Sequence, residues 1–170
     1  MLLAGLPASA LAANAKIDPA NYICAELVAL TSTAQEAPLF ELLQIDGYAA
    51  AAAGQDMAVP QAVAPILAQV MGICQARPTE KVVDVWQHMR DGLVLPASSP
   101  WRADTTVCKA YNENQEDGSG FPVWLDGYNR QKSENNASIL NSNESFQGFL
   151  KDCARKPEAL MLDLLREHAK

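Results

Sequence analysis

Two pairs of residues in this chain of 170 are spaced for chemistry. Asp84 and His88 stand four positions apart, which on a helix places both on one face, the arrangement of an acid/base couple or of two metal ligands. Asp46 and Asp126 each open an Asp-Gly-Tyr triplet and are candidates for carboxylate catalysis. Neither pair has the company such chemistry needs. The chain holds two histidines, no third ligand adjoins Asp84 and His88, and no Gly-x-Ser-x-Gly, His-Glu-x-x-His or phosphate-loop pattern occurs. Asp84 and His88 are therefore read as a surface ion pair, and His168, two residues from the end, as a frayed position. Each triplet is read as an aspartate and glycine at a helix end beside a core tyrosine. Gly118-Ser119-Gly120, after an acidic stretch, reads as a loop. No catalytic residue, metal or cofactor is expected.

The four cysteines carry more information. Cys24, Cys74, Cys108 and Cys153 include no Cys-x-x-Cys pair and none lies close to a histidine, which disfavours zinc. Three disulfide pairings are formally open, the alternative being four reduced thiols in a reducing compartment. An internal repeat chooses among them. An apolar residue precedes Cys24 and Cys108, a proline follows each of these cysteines by fourteen positions (Pro38, Pro122), Asp-Gly-Tyr comes next, and Cys-x-x-x-Pro follows at Cys74 and Cys153. The landmarks recur in the same order at offsets of 84, 80 and 79 positions, so a loop between proline and triplet is expected to differ in length. Residues 16–95 and 96–170 thus read as two copies of one module, each closed by its own bridge, Cys24–Cys74 and Cys108–Cys153. A unit of this size has a core worth only about 3–5 kcal/mol, and closing such a loop adds about 4 kcal/mol in the chain-entropy model. Disulfides call for an oxidising compartment, periplasmic or extracellular.

The elements that must position these residues are helical. Apolar residues recur at three-and-four spacing in Leu42, Leu43, Ile45 and Tyr48, in Val63, Ile66, Leu67, Val70 and Ile73, in Val82, Val83, Val85, Trp86 and Met89, and again around Val123, Trp124, Leu125 and Tyr128, Phe146, Phe149 and Leu150, and Leu160, Met161, Leu164 and Leu165. Strand alternation is absent. The spacing predicts an all-α protein of two tandem modules with about four helices each, cross-linked from the start of the first helix to the end of the third. Pro78 and Pro157 are expected in the first turn of the last helix of each module, Pro65 as a kink or a start, and Ser142 or Asn143 as a cap. Leu95-Pro96-Ala97-Ser98-Ser99-Pro100-Trp101 reads as the hinge between modules. Helical spacing places Trp86, Trp124 and Tyr128 in the core, and the methionines in the core or on adaptable surface.

These residues resemble the HdeA/HdeB family of periplasmic acid-stress chaperones. The likeness rests on an apolar residue before the first cysteine, the proline-preceded helix with Gly-Tyr near its end, and Cys-x-x-x-Pro before a last amphipathic helix, and it covers both modules. Members are single small helical modules with one internal disulfide and no catalytic residue, so this chain departs from the family by being a tandem. The resemblance implies a holdase that is ordered near neutral pH, loosens in strong acid and grips acid-denatured client proteins. It carries over Cys24, Cys74, Cys108 and Cys153 as bridge residues. It also implies a client surface on the apolar helix faces: Leu42, Leu43, Ile45, Tyr48, Val63, Ile66, Leu67, Val70, Trp124 and Tyr128. A monomer with the two modules paired internally, or a dimer, is expected. A second reading is a secreted binding or inhibitor module on the same stapled scaffold, without catalysis.

Charge permits the first reading. The formal charge of −7 becomes +15 when every carboxylate and both histidines are protonated, from 13 Lys and Arg plus 2 His, and self-repulsion on that scale loosens a compact state. Residues 17–95 hold 3 basic and 9 acidic side chains, residues 96–170 hold 9 and 11. The first half is therefore expected to offer most client surface, and the second to keep complexes soluble. A sequence pI near 4.7 argues against nucleic acid. Residues 1–15, apolar with Ala-x-Ala patterns but no basic start, read as the remnant of a signal peptide, and no membrane span is expected.

Overall fold

A computed structural model describes residues 17–34, 37–133 and 136–170; the stretch read as a signal-peptide remnant lies outside them. The described chain is all-helical. Helices α1 (Cys24–Thr33), α2 (Leu39–Ala52), α3 (Pro60–Ala76) and α4 (Val82–Asp91) are followed by α5 (Cys108–Glu113), α6 (Gln115–Gly118), α7 (Phe121–Lys132), a 3-10 turn η1 (Ile139–Asn141), α8 (Asn143–Arg155) and α9 (Met161–His168). Disulfides join Cys24 to Cys74 and Cys108 to Cys153, and no described cysteine is free. Each bridge ties the first residue of one helix (α1, α5) to the last turn of another (α3, α8).

The meaning of Cys-x-x-x-Pro lies in the backbone. The first N–H groups of a helix have no partner within it, and in both halves the turn after the second cysteine supplies one. Cys24 N donates to Glu80 O and Ala25 N to Pro78 O, both at 2.8 Å; Cys108 N donates to Ala159 O at 2.9 Å and Lys109 N to Pro157 O at 2.8 Å. The return bonds match as well, Val82 N to Tyr22 O at 2.9 Å and Met161 N to Thr106 O at 3.0 Å. Pro78 and Pro157 therefore belong to the capping turn and not to the first turn of α4 and α9, which begin four residues later at Val82 and Met161.

Local chemistry accounts for the longer helices. α2 draws on Leu and four consecutive alanines, strong helix formers, and ends at Gly54, whose φ of +69° lets Gly54 N reach Ala51 O and Gln55 N reach Ala50 O in a Schellman cap. α3 runs through Pro65 from a proline start at Pro60. Ser142 caps α8 by accepting from Ser145 N at 3.0 Å. Pro38 is the N-cap of α2 and Pro122 lies in the first turn of α7, so the four-residue drift between proline and triplet is one helical turn and not a loop.

One continuous apolar core runs through both halves, with Trp86, Trp124, Phe149, Leu27, Ile66 and Leu125 among its fully buried members. The main packing between halves is α2 against α7. A short backbone clasp lies beside it, Ala58 N to Trp101 O at 2.9 Å and Ala103 N to Asp56 O at 2.8 Å. The expected hinge thus ends in an anchor. Trp101 is buried, tilted against Phe121 at 5.4 Å and edge-on to Tyr111 at 6.5 Å between ring centroids.

Candidate functional site

The two Asp-Gly-Tyr triplets sit in the middle of α2 and α7, not at their ends, and they form the crossing of the two halves. A Cβ on Gly47 would lie 2.0 Å from the carbonyl oxygen of Trp124, and one on Gly127 would lie 2.1 Å from that of Gln44. Residue 124 is to Gly127 as residue 44 is to Gly47, so the contact is reciprocal, as across a two-fold axis. A mid-helix glycine costs about 1 kcal/mol against alanine; here it admits backbone against backbone, where any side chain would hold the helices apart.

Asp46, beside that crossing, has no solvent exposure. Its Oδ1 accepts from Trp86 Nε1 at 2.9 Å and from Arg90 Nη1, and its Oδ2 accepts from Trp124 Nε1 at 2.9 Å. Trp86 and Arg90 stand one turn apart on α4, while Trp124 comes from the other half. Arg90, 1% exposed, is held further by Gln55 Oε1 at 2.9 Å and by Met57 O at 3.4 Å. The buried charge is thus paired and hydrogen-bonded, the condition for keeping an ion inside a core. Tyr128 Oη adds a second polar tie between halves by donating to Asp56.

Asp126 is equally buried but is served within its own half, by Ser138 Oγ and Ile139 N, both at 2.8 Å. Burial outweighs these bonds and the nearby Arg130, and pushes its carboxyl up to about 6. Desolvation raises Glu41 as well. For such groups the folded state binds more protons than the unfolded chain between the two pKa values. Stability from Asp126 is therefore full below about 4 and is lost as pH rises through about 6. With the folded value about two units above the ordinary 3.8, the effect is about 3 kcal/mol. Acidifying from pH 7 to about 4.5 is expected to raise the melting temperature of the native protein relative to Asp126→Asn; a gap between the two that stays constant with pH would refute this origin.

The remaining candidates separate. Asp84 and His88 are both exposed and no ion pair joins them among the described residues; Gln87 Nε2 instead donates to Asp91 at 2.7 Å. His168 is not frayed but lies 3.1 Å from Asp152. No group of three metal-ligating side chains occurs among the described residues, and no described helix is long and apolar enough to cross a membrane. Of the apolar residues assigned to client contact, Leu42, Leu43, Ile45, Val63, Ile66, Val70, Trp124 and Tyr128 are buried, while Tyr48 and Leu67 are half-buried. In this fold they are core, so contact with a client requires an opened state. Trp86, Trp124 and Tyr128 are packing anchors, with Trp124 stacked between Phe121 at 5.9 Å and Tyr128 at 5.5 Å.

The triplets are visible in the sequence, but their place at the crossing is not. The available signal was the glycine inside each apolar helix pattern, which marks close approach of another backbone. The role of Arg90 had a fainter trace, as a cation one helical turn from Trp86. No family model, no curated protein and no solved structure matches this chain.

Proposed function

We propose that this protein is an acid-stress holdase of an oxidising compartment, the periplasm or the extracellular space, built as a tandem of two related modules that pair internally at neutral pH. The observation that carries the reading is the buried Asp46, whose carboxylate joins Arg90 and Trp86 of one half to Trp124 of the other. Neutralising it leaves a guanidinium without a counter-charge inside the core, a situation that costs several kcal/mol. Parting α2 from α7 relieves it and uncovers Leu42, Leu43, Ile45, Tyr48, Trp124 and Tyr128 as a grip for clients. The Cys24–Cys74 and Cys108–Cys153 bridges keep each opened half from becoming a random coil and favour its return.

Asp126 and Glu41 act in the opposite sense, since both take up protons more readily in the folded state. Mild acid therefore strengthens the fold through these two groups, and opening is assigned to the self-repulsion that grows as the positive charge of the chain rises. The matching hydrogen bonds around both bridges and the reciprocal glycine contacts support two copies of one module.

The test is aggregation of an acid-denatured client at about pH 2 to 4 with and without the protein, read beside a dye for exposed apolar surface. The expected result is suppression in acid together with dye binding, and neither at pH 7. A protein that stays rigid and leaves the client unprotected is instead a binding module on the same scaffold.

A further inference from the structure

Both disulfides lie within a half, so the halves are joined covalently through the backbone between α4 and Trp101 alone. That link is a loop that departs and returns at one place. At its start Arg90 donates to Gln55 Oε1 at 2.9 Å and to Met57 O at 3.4 Å. At its end Ala58 N donates to Trp101 O at 2.9 Å and Ala103 N to Asp56 O at 2.8 Å. Between these anchors Val94, Pro96, Ala97 and Ser98 are exposed, Val94 completely at 101%, with Leu95 half-buried among them. Among the described residues no backbone hydrogen bond holds residues 94–98. No charged residue stands between Asp91 and Arg102.

What holds the halves is instead two-fold. Besides the reciprocal glycines, each half sends the arm ahead of its first helix onto the other. Ile17 O accepts from Arg130 Nη1 at 2.6 Å, Asp18 Oδ1 lies 3.8 Å from Arg130 Nη2, and Arg130 Nε donates to Asn136 Oδ1 at 2.8 Å. Trp101 and Ala103 dock in turn on Asp56 and Ala58. Ile17 and Trp101 are 84 positions apart, as are Cys24 and Cys108, while Asp56 and Asn136 are 80 apart, as are Gly47 and Gly127. The arms are thus exchanged at matching places, as in an isologous interface between separate subunits. We infer that residues 94–98 are a cleavage site for an endoprotease selective for small aliphatic residues, and that the cut protein persists at neutral pH as a two-chain complex. Water adds across one peptide bond, whose C–N bond breaks to leave a carboxylate on one chain and an amine on the other. Exposed loops of small residues are where proteases cut, and here the anchors on both sides of the cut stay in place. The cut needs no acid opening, so it is independent of the holdase reading.

The test treats the full chain with an elastase at pH 7 and follows it by unreduced mass and by native sizing. The first cut between Cys24 and Cys153 is expected within residues 94–98. It gives one fragment with Cys24 and Cys74 and one with Cys108 and Cys153, which part in denaturant without reductant. At pH 7 the two should elute together at the size of the uncut protein. Val94→Asp with Ala97→Asp, both at exposed positions, should abolish this cut and leave the fold unchanged. Tyr128→Phe removes the phenol that donates to Asp56 across the interface, and the nicked complex should then bind about 2- to 10-fold more weakly on dilution, the worth of one hydrogen bond. A first cut inside either disulfide-closed half, a cut that survives Val94→Asp with Ala97→Asp, or nicked halves that elute apart at pH 7 each overturn the proposal. So does a Tyr128→Phe complex as tight as the native one, by placing the contact between chains elsewhere.

Discussion

Asp46→Ala is expected to lower stability by about 3–5 kcal/mol, the cost of removing one partner from a buried ion pair, which in a domain of this size lowers the melting temperature by roughly 10 °C or more. Three donors converge on that carboxylate from two halves of the chain, the Trp86 and Trp124 indoles and the Arg90 guanidinium. All are buried, so water cannot replace the lost acceptor. Asp46→Asn keeps one acceptor oxygen and should lose less, whereas Asp46→Leu with Arg90→Met removes both charges and should recover much of the deficit. Urea unfolding of the set checks the order, with Asp91→Ala, at an exposed position, as the reference expected to stay within about 0.5 kcal/mol of wild type. If Asp46→Ala is as mild as that reference, the carboxylate does not hold the halves together. The same set bears on acid response. Asp46→Asn leaves the buried Arg90 without its counter-charge at every pH, so apolar-dye binding should begin at a higher pH than in the native chain. An unshifted onset would separate opening from Asp46 and leave global charge repulsion as its cause.

What could be read from the sequence were features with a period or an order. The apolar spacing gives the helices at Leu39–Ala52, Pro60–Ala76 and Phe121–Lys132, and the repeat order gives both disulfide partners. Those signals are local, or they come from an order of landmarks that recurs along the chain. Features that depend on what a distant segment presents have no such local signal. Pro78 looks like a helix start because proline suits that position, but its carbonyl is needed to cap α1, a segment more than fifty residues earlier. Asp46-Gly47 looks like a helix end because aspartate and glycine are poor helix formers. Both are tolerated in mid-helix because α7 brings an indole donor to one and a carbonyl edge to the other. Trp101 reads as part of a hinge from its proline and serine neighbours, whereas it packs against Phe121 and Tyr111. Local composition marks a place where something unusual happens. The identity of the partner comes only with the fold.

Gly47→Ala isolates that crossing from its polar companion. Helix propensity alone would make alanine better by about 1 kcal/mol, and Gly72→Ala, where a Cβ meets nothing within 4 Å, should show that gain. At Gly47 the new methyl would lie 2.0 Å from the Trp124 carbonyl oxygen. The obstacle is backbone, so no rotamer change relieves it and α2 must move off α7. The displacement also lengthens the bond from Trp124 Nε1 to Asp46, so packing and polar pairing are lost together. Overpacking a tight core costs about 1–3 kcal/mol and occasionally more, and the second loss puts the expectation for Gly47→Ala at about 3 kcal/mol or above. Gly127→Ala, blocked at 2.1 Å by Gln44 O, parts the same two helices and should be destabilised by a similar amount. The double variant should cost less than the sum, because once one methyl has parted the helices the other finds room; non-additivity of this kind is the mark of a shared contact. Strict additivity of the two, or a stabilising Gly47→Ala, would mean that the halves do not meet backbone to backbone at these glycines.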